Sequence, residues 1–325
     1  MAAVLPIDPS SYTRHALHLR DRDWGEANCY DDALIELVHA MGHEPTAMLA
    51  HALAVELDVD QWTLFKVPRA DLEDLYGITL NELTVWRPLP WHVDQQLAAG
   101  RPVLVETDSF YLPDTAGAAY RSQHVKTTIV VNELDVDRRR MGYFHNQGYY
   151  VVEGDDVAGA LRFDGAPEVL PPYIELVRRL PRGRALRGGE LVEASVASLR
   201  RHLARVPAEN PFLLFKERFA ADQVTVPGLL GPELDTYHQY AFVTIRQFGA
   251  AFELSGCYLR WLGAHGVDGL DGAAASFDEL SHAARALQMR LARSVMRGKP
   301  VDVVSIDPIA SLWQRGMAAL TYRFG

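Results

Sequence analysis

Trp24-Gly25-Glu26-Ala27-Asn28-Cys29-Tyr30-Asp31-Asp32-Ala33-Leu34-Ile35-Glu36-Leu37 is a polar turn that runs straight into an amphipathic helix. Ala33, Leu34, Leu37, Val38 and Met41 recur at helical spacing, so the pattern predicts a helix from near Cys29 to near Gly42. Asn28 is a residue type that caps such a helix, because its side-chain oxygen can accept a first-turn N–H. Cys29 therefore falls where the positive end of the helix dipole and unpaired N–H groups favour thiolate over thiol. That makes it a candidate nucleophile.

Working outward, Pro45 to Leu57 reads as a second helix and Gln61 to Val67 as a strand. Residues 69–76 and 90–99 read as helical. A β-rich block follows, with strands at Pro102–Asp108, His124–Val131, Arg140–Phe144 and Tyr149–Val152, the last two joined by a turn at Asn146-Gln147-Gly148. Helix first and strands later predicts an α+β class rather than alternating βαβ units. Beyond residue 165 the composition shifts. A loop rich in Pro, Gly and Arg (166–189) leads to helical segments near 190–205, 209–221, 233–264 and 276–298, with Gly249 and Gly256 marking close packing or a kink. The organisation expected is a catalytic domain over 1–165, a linker over 166–189 and a mainly helical domain over 190–325.

The chain has 325 residues, 48% hydrophobic and 23% charged, which suits a well-buried core. Its net charge of −10 argues against nucleic-acid binding, which needs a basic face. No apolar run approaches the roughly 20 residues that span a bilayer, and no basic region precedes an apolar stretch near Met1, so a cytoplasmic protein without membrane association is expected. Two cysteines make no disulfide framework and form no CxxC pair. Arginine outnumbers lysine 28 to 4, bunched at Arg138-Arg139-Arg140 and between Arg178 and Arg187. These bunches are either solvated loop charge or a docking surface for an acidic partner.

A thiol nucleophile needs a base, and the base needs a third group to fix its tautomer. Papain-like cysteine hydrolases carry the Cys on the first helix, the His at the head of a later strand and the orienting Asn or Asp at the end of the next. Cys29, His124 and Asn146 occur in that order and in those settings, with His145 a competitor for a role. The Cys29 backbone N–H would serve the oxyanion, with a second donor from the Asn28 or Trp24 side chain. Asp108 and Tyr111, just past a strand end, are candidates to hold substrate. Other motifs carry less. His39 and His43 have metal-ligand spacing but no completing partner, so no metal is expected. Cys257 lies among apolar residues and reads as core. Glu153, Asp155 and Asp156 read as an acidic helix start. No Walker loop or GxGxxG segment appears, and no cofactor is expected.

Thr107-Asp108-Ser109-Phe110-Tyr111-Leu112-Pro113, followed by Gln123-His124-Val125 and a strand ending in a polar turn, resembles the butirosin-biosynthesis BtrH-like acyltransferases over about 25–160. Gly142-Tyr143-Phe144-His145-Asn146-Gln147-Gly148-Tyr149-Tyr150 resembles DUF1839, over most of the chain. The resemblance implies a papain-like core, with an N-terminal helix packed on an antiparallel sheet. It further implies that Cys29 takes an acyl or aminoacyl group from the phosphopantetheine thioester of a carrier protein and passes it to a small-molecule amine, with His124 as base and Asn146 as orienter. BtrH-like proteins tend to carry Asp where Asn146 stands. A peptidase or amidase using water, and a non-catalytic protein that binds a carrier or peptide, remain the alternatives.

Overall fold

Alternation along Val103–Asp108 sorts the first half of the chain into layers, as a strand sends successive side chains to opposite faces. The computed structural model of the chain describes residues 2–19, 22–26, 28–163, 172–230 and 234–324. Two units emerge, one of Met1–Arg20, Asn28–Pro45 and Arg69–Leu186, the other of Asp21–Ala27, Thr46–Pro68 and Arg187–Gly325.

In the first unit the described residues form a seven-stranded antiparallel sheet. Its strands are β1 (Ala2–Ala3), β2 (Ile78–Glu82), β3 (Val103–Asp108), β4 (Lys126–Asp135), β5 (Arg140–His145), β6 (Gly148–Glu153) and β7 (Ile174–Arg179). They run in the order β2-β7-β3-β4-β5-β6, with β1 added to β4. Besides a single helical turn at Ala16–Leu19, this unit contains the helices α1 (Cys29–Ala40), α2 (Arg69–Tyr76), α3 (Leu89–Ala98) and α4 (Asp155–Ala160). Val103, Val105, Ile129, Val131, Met141, Tyr143 and Ile174 turn to one face, where Leu89, Val93 and Leu97 of α3 and Val157 and Ala160 of α4 cover them. The opposite parity brings Leu104, Val130 and Phe144 to the other face, where α1 lies across β4, β5 and β6. Each such side chain, fully buried, contributes about 1.5–3 kcal/mol.

Strands β4 and β5 do more than pair. At the bulge between Val131 and Glu133, Asn132 turns its amide to Leu5, accepting the Leu5 N–H at 2.8 Å and donating to its carbonyl at 2.9 Å. The same amide donates to the Tyr149 hydroxyl. That hydroxyl occupies the space a Cβ on Gly142 would need, at 2.2 Å.

Helix α1 is fixed to the N-terminal segment by a buried polar cluster. The Glu36 carboxylate accepts from the Tyr12 hydroxyl at 2.5 Å and the His15 N–H at 3.0 Å, and pairs with His18 Nδ1. His18 Nε2 meets Asp32 at 3.2 Å, with the His18, Asp32 and Glu36 side chains wholly buried. Burial opposes charge on His18, but the hydrogen bonds and the negative charge of Asp32 and Glu36 outweigh it and raise the pKa.

The second unit contains α5 (Gly188–Leu203), α6 (Pro211–Leu230), α7 (Leu234–Val243), α8 (Ile245–Ala264), α9 (Asp271–Arg297) and α10 (Asp307–Phe324), with a 3-10 helix at Pro45–Ala54 and a two-strand ribbon at Leu57–Asp58 and Gln61–Trp62. Trp62 packs against Phe212, Phe215 and Phe248 with ring centroids 4.9–5.6 Å apart. Cys257 is buried on α8. Gly249 answers to close approach, since its Cβ would lie 2.4 Å from the Trp24 ring. The Trp24 indole N–H donates to Ser281 Oγ at 2.8 Å, and Ser281 Oγ donates to the Gly249 carbonyl.

The α+β class and the mainly helical C-terminal region agree with the sequence reading. Several elements differ. The helix expected over Pro45–Leu57 is a 3-10 helix, and the strand expected over Gln61–Val67 keeps only its first two residues. The loop of 166–189, whose first residues to 171 lie outside the described ones, contains β7, which sits inside the sheet between β2 and β3. Its short run Ile174-Glu175-Leu176-Val177 is hidden in composition by neighbouring prolines and arginines. The segment read as one helix over 233–264 breaks at Thr244; residue 233 lies outside the described ones. Among the described residues no helix is long and apolar enough to cross a membrane.

His18 is protonated more readily folded than unfolded, so its stabilising contribution is complete below the unfolded imidazole pKa of about 6.5 and is lost as pH rises through the raised folded value. Urea denaturation between pH 5.5 and 9 should show His18→Gln less stable by about 3 kcal/mol at the acidic end, with the gap to wild type narrowing as pH rises. Gly249→Ala should cost about 1–3 kcal/mol through overpacking against Trp24, measured as a lowered thermal midpoint.

Candidate active site

Asn28 caps α1 from an extended conformation (φ −159°, ψ 120°), its side-chain oxygen accepting the Tyr30 N–H at 3.0 Å. The Asn28 N–H in turn donates to Asp32 at 3.1 Å. The cap places Cys29 at the first helical position, with a free, half-buried thiol among N–H groups that have no helical acceptor. The next residue anchors the helix start, as the Tyr30 hydroxyl donates to Glu175 of β7 at 2.8 Å. Desolvation and the charge of Glu175 raise the pKa of this phenol, which stays protonated and donating.

Register then ties the helix start to the face that carries Asp108. Glu175 pairs with Leu104 of β3, and Glu106 and Asp108 follow Leu104 at intervals of two on the same strand. Asp108 Oδ1 accepts the Phe110 N–H at 3.0 Å and the Val125 N–H at 3.2 Å. Asp108 Oδ2 accepts from His124 Nδ1 at 2.5 Å. With Nδ1 carrying the proton, a neutral His124 presents the Nε2 lone pair. Phe110 stacks on the imidazole at 4.4 Å and 15° between planes, which fixes the ring from the side. His124 is exposed. Beside it, Lys126 and Glu106 pair at 2.7 Å.

The hydrogen-bond partner of His124 in the structure is thus Asp108, a residue the sequence offers as a candidate to hold substrate. Asn146 sits in the turn between β5 and β6 at φ 45°, a left-handed conformation that asparagine tolerates, and among the described residues no hydrogen bond joins it to His124. Nor does one join Cys29 to His124. The Trp24 indole is committed to Ser281, and the Asn28 oxygen to its cap. The Tyr111 ring lies against Gly159, where a Cβ would come within 2.2 Å, and makes an edge contact with Phe110.

A second histidine–aspartate pair lies on the opposite face of the sheet, with Tyr143. His145 Nδ1 meets Asp114 Oδ2 at 2.5 Å, and His145 Nε2 meets the Thr127 hydroxyl at 2.7 Å. The Tyr143 hydroxyl donates to the other Asp114 oxygen at 2.5 Å, and desolvation followed by the Asp114 charge raises its pKa. Both His145 nitrogens are engaged and the ring is buried, whereas among the described residues only Nδ1 of the exposed His124 is hydrogen-bonded. Asp108 and Asp114, their respective partners, lie 16 and 31 residues upstream.

The remaining candidates find ordinary partners. His39 Nε2 meets the Thr13 carbonyl, and His43 stacks on Tyr76. Among the described residues no group of His, Cys, Asp or Glu is arranged to hold a metal. Arg138, Arg139 and Arg140 pair with Asp135, Asp155, Glu133 and Glu153. Asp155 and Asp156 stand in the first turn of α4, and Asp156 takes Arg121 and the Tyr120 hydroxyl.

No protein with a curated description matches the chain. The model of the DUF1839 N-terminal domain matches residues 13–179, and that of the DUF1839 C-terminal domain matches residues 188–322. The chain belongs to the DUF1839 family.

Proposed function

We propose that the first unit is a papain-like cysteine acyltransferase. Cys29 would accept an acyl or aminoacyl group from the phosphopantetheine thioester of a carrier protein and pass it to an amine. The observation that carries this reading is the His124–Asp108 pair, with its open nitrogen, on the sheet face across which the Cys29 helix begins. His124 Nε2 takes the Cys29 proton, and the thiolate attacks the thioester carbonyl. The tetrahedral intermediate expels the pantetheine thiolate, which recovers the proton from the imidazolium. The amine then attacks the acyl-cysteine, gives a proton to His124, and collapse releases the amide and the Cys29 sulfur. Asp108 keeps the proton on Nδ1 and stabilises the imidazolium. The backbone N–H of Cys29, in the first turn of α1, would donate to the oxyanion. A thioester exchanges with a thiol at little cost in free energy, which suits a nucleophile whose product must be reactive.

Incubation with acylated carrier protein should add one acyl mass to the intact protein, and the added mass should be absent in Cys29→Ala. Unlabelled wild-type protein, or full transfer activity in Cys29→Ala, would refute the reading. Release of free acid at the same rate with and without an amine would instead assign the site to hydrolysis. Asp108→Asn should lower turnover by about 10²- to 10⁴-fold and flatten its pH profile, while Asn146→Gly, which preserves the positive φ, should leave turnover within about threefold. The reverse ranking would return the orienting role to Asn146.

A further inference from the structure

Helices α6, α7 and α9 of the second unit, with the segment after α9, line a half-open cavity of about 390 Å³. Val226 and Pro227 of α6 and Leu291 and Val295 of α9 give it apolar walls. Tyr237 and Tyr240 of α7 add two phenol rings, and Asp222 a carboxylate. The volume suits a small organic molecule.

Polar valences at the wall are unequally spent. Gln223 is closed on Val301, donating to its carbonyl at 3.1 Å and accepting its N–H at 2.5 Å. Ser294 Oγ donates to the Lys299 carbonyl. The Tyr240 hydroxyl donates to Asp222 Oδ2 at 2.8 Å, which orients the carboxylate and leaves Oδ1 without a partner among the described residues. Tyr237 is 7% exposed, and its hydroxyl has no hydrogen-bond partner among the described residues. Lys299 also lines the cavity but is exposed, whereas Asp222 is half-buried.

A carboxylate held beside two tyrosine rings, above an apolar floor, is complementary to a cation with a hydrophobic body. An ammonium there gains a charge-assisted hydrogen bond from Asp222 and attraction to the ring faces, while its hydrocarbon part displaces water from the apolar wall. An anion would meet Asp222 at close quarters. We propose that this cavity is a binding site for a small primary amine with an apolar body of about ten heavy atoms. The site is independent of the acyl-transfer reading, sharing no residue with it.

Titration calorimetry of the full chain with 2-phenylethylamine and with 2-phenylethanol separates the contributions of the charge and of the hydrocarbon. The amine is expected to bind at least about tenfold tighter than the alcohol, a difference of about 1.4 kcal/mol. Asp222→Asn should abolish that preference while keeping the weaker, shape-dependent binding. Leu291→Trp should abolish binding of both, and Val295→Trp, at a less buried lining position, gives the same readout in a variant with less demand on the core. Failure of both compounds to bind, equal affinity for the two, or binding undiminished in the folded tryptophan variants would overturn the proposal.

Discussion

A buried carboxylate that cannot be left unsatisfied organises the first unit. Glu36 lies on the inner side of α1, out of reach of water, and a lone carboxylate there would cost several kcal/mol. Its oxygens are met by Tyr12, His15 and His18, none of which belongs to the helix. The N-terminal segment must therefore return to α1 for the helix to be stable where it is. Asp32, one turn earlier, shares His18 and also receives the Asn28 N–H. The same cluster thus reaches from the middle of the helix to its cap, and with it to the position of the thiol.

Much of this was legible in the sequence where periodicity and burial coincide. The α1 pattern, the Asn28 cap and the hairpin across Asn146-Gln147-Gly148 follow from local rules, and each appears where those rules put it. What escaped was decided by tertiary contact. Strand β7 is short and flanked by arginines and prolines, but pairing on both sides, with β2 and β3, makes it a strand. The 3-10 helix at Pro45–Ala54 and the shrunken strand at Gln61–Trp62 were likewise fixed by packing in the second unit, where Trp62 is held among phenylalanines.

The candidate site shows the same division. Helix-start chemistry pointed to Cys29, and strand-head placement pointed to His124, both from local pattern. The partner of His124 depended on which carboxylate the β3–β4 pairing brings alongside, and that is Asp108, opposite Lys126 in register. A polar turn is conspicuous in sequence, so Asn146 drew the orienting role, whereas an aspartate at the end of an apolar strand looks like a cap, and Asp108 is one as well. One side chain serves both purposes because its two oxygens face different ways.

Gly142 illustrates how a position without functional groups can acquire a constraint. The Tyr149 hydroxyl fills the space beside its Cα, Asn132 leans on that hydroxyl, and Leu5 is held by Asn132. Variation at 142 would consequently be coupled to variation at 149: a side chain at the first site is accommodated when the second loses its hydroxyl or shrinks, and the two changes together should be milder than either predicts. Across related sequences this pair would drift as a unit, and the N-terminal segment around Leu5, far from both in the chain, would record the drift.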